Sequence, residues 1–188
     1  MKKILLILCL FFSLTASSQC ISNQSFVIST PGPYTPGQVV AVDYTLGTFT
    51  QVNINWIIAF QINLGAGWTN LIPLIAPGNP GGSTGYWIWD VQNTYPSGLN
   101  FGPGWRFVNS SWFNPDWGTA STGPFTMRFR VTVGPTCTPD NLLISMNVIG
   151  DCLTGGWNNG ACCNDPSFNI YNGNVQVVTP ITSNINHY

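Results

Sequence analysis

The residue types that do acid–base or nucleophilic chemistry are few and poorly spaced in this chain of 188 residues. His187 is the only histidine and sits next to the C-terminal residue, while Lys2 and Lys3, the only lysines, open the sequence. A Ser or Cys nucleophile needs a base held beside it, and neither end of a chain supplies one. Glutamate is absent. A carboxylate pair for glycoside hydrolysis could be drawn only from Asp43, Asp90, Asp116, Asp140, Asp151 and Asp165. Asp90 stands among Trp87, Trp89 and Tyr95, yet its position reads as the end of a strand and the start of a turn, and we take it so. The chain is therefore read as non-catalytic, with an Asp-dependent glycoside hydrolase a distant third reading.

Metal chemistry is no better served. Cys137, Cys152, Cys162 and Cys163 fall close together, but they form no CxxC pair and have no nearby histidine, so structural zinc is not expected. Asn114-Pro115-Asp116 and the stretch 158–165 gather oxygen ligands without a DxDxDG pattern. No cofactor or metal is expected.

The tryptophans carry the remaining signal. Trp68, Trp87, Trp89, Trp105, Trp112, Trp117 and Trp157 lie in or beside Gly-, Pro- and Asn-rich segments, while Trp56 reads as core. Most of them are expected to pack over the domain. In the segment NSSWFNPDWG, however, Trp112 and Trp117 stand beside Asn114 and Asp116, the pairing of flat apolar faces and polar groups that recognises sugars or proteins. Trp112, Trp117, Asn114, Asp116, Trp87 and Trp89 are the candidate ligand-binding residues.

The start of the chain places this surface in a cell. Lys2 and Lys3 precede an almost unbroken apolar run from Ile4 to Leu14, followed by small residues at Thr15, Ala16, Ser17 and Ser18. That is a secretory signal peptide over residues 1–18, too short for a bilayer span, which needs about 20 residues. A lipid anchor at Cys20 is the competing reading; Ser17 argues against it, standing where lipoprotein signals carry Leu. The expected location is secreted or cell-surface, with the periplasm open. Five cysteines survive leader removal, in keeping with an oxidising compartment. We expect two bridges among Cys137, Cys152, Cys162 and Cys163, with Cys20 the odd one.

Composition bounds what the mature chain can meet. Only 6% of residues are charged, against 44% hydrophobic and 13% aromatic. After the leader, three arginines face six aspartates, a net charge of about −3. This is no electrostatic footprint for nucleic acid or anionic lipid, and the apolar content excludes a disordered chain. The expected partners are a cell-surface protein, a glycan, or a second copy of the chain.

The elements that must hold these residues read as β throughout. Short strands are expected at 25–30, 39–46, 54–64, 86–91, 105–108, 125–133 and 142–149. A last pair, 168–171 and 175–178, is expected to turn at Asn172-Gly173. In 125–133 the odd residues are apolar and the even ones are Thr or Arg, the pattern of a half-buried strand. In 54–64 the alternation puts Trp56, Ile58, Phe60 and Ile62 on one face. Nothing keeps a 3.6-residue period. The expectation is an all-β, Ig-like antiparallel β-sandwich with long Gly/Pro/Asn-rich loops over residues 19–178, ending in a polar tail, 179–188.

Three stretches carry a family likeness: QINLGAGWTNLIPLIAPGNPGG with YWIWDVQNTYPSGLNFGPGWRF, then DWGTASTGPF, then GDCLTGGWNNGACCND. Together they resemble an Ig-like N-terminal module of large Bacteroidetes surface proteins, the kind often ending in a gliding-motility-type sorting domain. The resemblance implies an adhesive or surface-layer role and brings no catalytic residues. The chain departs from that pattern by stopping soon after the module, so it is read as a stand-alone version. The expectation is a secreted, non-catalytic surface module, adhesive or structural; the alternative is a carbohydrate-binding module using loop tryptophans.

Overall fold

The computed structural model describes residues 21–50, 55–92, 102–110, 117–151 and 169–176, the last as backbone. The stretches 1–18 and 179–188, read above as leader and tail, lie outside these residues. Among the described residues nine strands follow one another: β1 (Ile21–Ile28), β2 (Val39–Phe49), β3 (Ile57–Leu64), β4 (Trp68–Ile75), β5 (Gly85–Asp90), β6 (Gly104–Asn109), β7 (Phe125–Val133), β8 (Leu143–Gly150) and β9 (Asn169–Gln176), with one 3₁₀ turn, Pro139–Asn141. They form two sheets, ordered β1-β2-β7-β4 and β5-β6-β3-β8-β9. Every strand pair is antiparallel. The chain is all-β, and its sheets face each other as a sandwich.

Alternation explains why. Along β7, Phe125, Met127, Phe129, Val131 and Val133 are buried while Thr126, Arg128 and Arg130 are exposed. Val40, Val42, Tyr44 and Leu46 of β2, and Ile144, Met146 and Val148 of β8, join them in one core. Aromatic rings bridge the layers: Phe60 of β3 lies 5.5 Å from Phe125 and 6.3 Å from Tyr44 between ring centroids. Burying such side chains supplies roughly 1.5–3 kcal/mol each.

Three details differ from the sequence reading, each for a local reason. Strand β3 carries a bulge, because Ile57 pairs with Gly150 while Ala59 pairs with Ile149. The extra residue turns Ile57 into the main core with Phe60 and Ile62 and leaves Ile58 packed with Ala59 and Ile149 on the other side. Trp56 is consequently half-buried rather than core. At the far end, β9 is one strand, not a hairpin: Asn172 and Gly173 pair with Asn147 and Met146 in an unbroken ladder. Third, β4 is not among the expected strands. Its residues show no alternation, its register with β7 slips twice, and Asn70 adopts a left-handed φ of 52°.

The passage from β3 to β4 switches sheets within Gly65-Ala66-Gly67. Gly65 N–H donates to the Leu143 carbonyl at 2.8 Å and Gly67 N–H to that of Asn141 at 3.0 Å. A Cβ on either glycine would run into Asn141, so only glycine lets the chain pass this close. The corner sets β4 beside β7 as the outer strand of the first sheet among the described residues.

Candidate interaction surfaces

Two places bring together the residue types that recognition needs. The first is the end of the sandwich where the segment 109–118 begins and ends. Asp151, fully buried just past β8, organises it. One of its carboxylate oxygens accepts from Trp56 N–H at 3.1 Å, the other from Gly118 N–H at 3.0 Å. Its own N–H donates to the Trp56 carbonyl at 2.8 Å. Thr119 N–H donates to the Ile57 carbonyl and Ser110 N–H to that of Thr84. Thr119 Oγ1 donates to Asn79 Oδ1 at 2.6 Å. Both stems of the segment are thus tied to the β framework. Trp117 stands edge-on to Trp56, centroids 5.8 Å apart, and both rings remain half-buried. Trp112, Asn114 and Asp116 lie outside the described residues.

The second place is the open flank between the sheets, where β4 and β5 are the outer strands. A groove of about 440 Å³ is lined by Ile62, Leu64, Trp68, Leu71, Trp89 and Val91, with Asn63, Thr69 and Asn70 as its polar members. Trp89 stands edge-on to the buried Trp105, centroids 5.4 Å apart, which fixes the ring while leaving it half-buried. Val91 is 68% exposed, and β4 shows Leu74 and Ile75 at 46% and 51%. Trp68 is buried, and its indole N–H has no hydrogen-bond partner among the described residues, a local cost of about 1–3 kcal/mol.

Of the candidates read from the sequence, Trp87 is corrected. It lies in the core against Phe60, Phe107 and Phe125, and its Nε1–H donates to the Gly78 carbonyl at 3.2 Å. Its position on the inward face of β5 decides this, since Trp87 pairs across β6 with the buried Phe107. Among the described residues Cys137 has no bridge, and its thiol is half-buried against the core. Cys20, Cys152, Cys162 and Cys163 lie outside the described residues.

The aspartates at the strand surfaces are used structurally. Arg128 donates to both carboxylate oxygens of Asp43, at 2.7 and 2.8 Å. Asp90 faces Arg106 across the β5–β6 hairpin at 3.5 Å and accepts from Gln92 N–H at 2.9 Å, closing the strand end as a turn. Among the described residues there is no cluster of three or more metal-ligating side chains, and no helix is long and apolar enough to cross a membrane.

Sequence reasoning misses the flank groove because its walls come from strands distant in sequence. The available signal is the excess of apolar residues in LIPLI, too many for the outer face of a strand that only its neighbour β7 covers. No protein-family model matches the chain, nor does any curated protein or solved structure. The class that fold and surfaces define is an all-β sandwich with an apolar flank.

Proposed function

We propose that this protein is an exported, non-catalytic surface module that works by adhesion to a protein of the cell envelope, in the manner of the Ig-like modules of Bacteroidetes surface proteins it resembles. The observation that carries the reading is the flank: Leu74, Ile75 and Val91 are each about half exposed or more, in a chain with only 6% charged residues. Exposed apolar side chains on the two outer strands of one flank suit a contact site, and a surface with few charges lets a neutral partner approach with few ions to desolvate.

A second reading, glycan binding, is favoured by the groove itself, where the half-buried ring of Trp89 stands among Asn63, Thr69 and Asn70. Aromatic faces and amide edges together suit a sugar ring, which presents CH and hydroxyl groups. Envelope preparations treated separately with protease and with periodate, which cleaves vicinal diols, distinguish the two. Attachment of the mature protein lost after protease and kept after periodate supports the protein partner. The reverse pattern overturns it in favour of the glycan. Undiminished attachment to both overturns the two readings together.

A further inference from the structure

We propose that β5 is a pairing edge through which two copies of this chain join, the two five-stranded sheets becoming one. The inference deepens the interaction role proposed above by naming a second copy as one partner. It begins with backbone geometry. In an antiparallel ladder, hydrogen-bonded and non-bonded residue pairs alternate. Ser110 N–H donates to the Thr84 carbonyl at 3.0 Å, and the register pairs Tyr86 with Val108 and Ile88 with Arg106. Those two pairs therefore belong to the bonded set. Gly85, Trp87 and Trp89 then direct their N–H and C=O groups away from β6. No strand lies on that side among the described residues.

The other outer strand whose side chains are described on the same flank, and the one at the far side of its sheet, carry devices that hinder pairing. In β4, Asn70 has φ 52°, Pro73 lacks an N–H, and the register slips twice. In β1, Asn23 has φ 55° and the register with β2 skips it. By contrast β5 runs in unbroken register over its whole length, with no proline, no bulge and no left-handed residue. No lysine guards any of these edges, since the last one in the sequence is Lys3.

The edge is also its own complement. Three outward residues spaced by two, read antiparallel about an axis at Trp87, match Gly85 to Trp89 and Trp87 to Trp87 of the second copy, about six backbone bonds in all. On the outer face this sets Tyr86, 58% exposed, opposite Ile88 of the second copy. Asp90, the strand's one charge, meets Thr84 rather than another aspartate and keeps Arg106 of its own chain as neighbour. A symmetric pair of this kind is closed and does not grow into a fibre.

Amide hydrogen exchange of the mature chain, read residue by residue at low and high protein concentration, tests the pairing together with sedimentation. The expected result is a dimer at high concentration, with the Trp87 and Trp89 amides slowed at least about tenfold and the Ile88 amide, already bonded to β6, unchanged. Tyr86→Lys with Ile88→Lys should give a folded monomer, and mixing it with Tyr86→Asp and Ile88→Asp should restore a mixed dimer. A chain that stays monomeric with concentration-independent exchange overturns the proposal, as does a dimer that leaves the Trp87 and Trp89 amides unprotected. Either failure leaves the attachment role intact, because attachment is read on separate variants of β4 and Val91.

Discussion

A fully buried carboxylate is costly unless its oxygens are satisfied, and Asp151 is satisfied by the backbone N–H groups of Trp56 and Gly118. Removing it strands both donors in the interior. Asp151→Ala is therefore expected to lower stability by about 2–5 kcal/mol in urea unfolding, with Asp151→Asn, which keeps one acceptor, losing less. Equal losses in the two variants would mean that packing, not hydrogen bonding, sets the cost. Tyr44 makes the complementary case for a neutral group. Its hydroxyl donates to Gln24 Oε1 at 2.8 Å, and burial pushes the phenol well above its ordinary value of 10.0. The folded state thus favours the protonated form. Its contribution is complete below the unfolded value near 10 and is lost as pH rises toward the raised folded one. Thermal midpoints followed from about pH 8 to about pH 12 should fall for the parent and fall less for Tyr44→Phe. Some slope should persist from Tyr34, which burial also raises. At neutral pH the variant should lose about 1 kcal/mol, the worth of one hydrogen bond. Identical alkaline slopes would remove Tyr44 from the account.

Strands that cover one face with core and leave the other wet announce themselves. For β7 the odd and even residues separate completely, so Phe129→Ala should cost about 3–5 kcal/mol and Arg130→Ala under about 1 kcal/mol, measured by chemical unfolding. Comparable costs would contradict the burial of Phe129 and exposure of Arg130 on which the core rests. The same alternation makes β2 and β8 legible from their residues alone. What stays hidden in the sequence are departures from period two. The bulge at Ile57 flips the start of β3, and no single residue there marks it, because Ile57, Ile58 and Ala59 are all apolar. Strand β4 is concealed by Asn70 and Pro73, which read as loop residues but sit in an outer strand where a missing N–H and a left-handed turn are tolerated. Asn172-Gly173 misleads in the opposite direction. The dipeptide favours a tight turn locally, yet pairing with β8 along the whole of β9 holds it extended, a case of tertiary context overriding local preference. Trp87 belongs to the same lesson: composition puts it beside a loop, and only its register against Phe107 shows that it points inward.

At the scale of the whole molecule, the aromatic residues divide between two tasks. Phe49, Phe60, Phe107, Phe125, Phe129 and Tyr44 fill the space between the sheets, so the sandwich does not depend on ion pairs. Arg128 with Asp43 and Arg106 with Asp90 lie toward the surface, where such pairs contribute little, typically under about 1 kcal/mol. Stability should therefore change little with added salt. Another set of aromatic and aliphatic groups, Trp89, Val91, Leu74 and Ile75, lies on the outer strands β4 and β5 and the residue after β5, and adhesion is proposed there. This half of the candidate site is only partly legible in the sequence: Trp89 stands out by type, while its neighbours come from β3 and β4 and meet it only through the fold. The most direct measurement compares the mature protein with the triple variant Leu74→Asn, Ile75→Asn, Val91→Asn in saturable attachment to its host's cell envelope. All three side chains are about half exposed or more, so the variant should unfold at the parent's midpoint within a few degrees. Attachment should weaken at least about tenfold, some 1.4 kcal/mol. Attachment equal to the parent's by a folded variant would contradict the proposed adhesion.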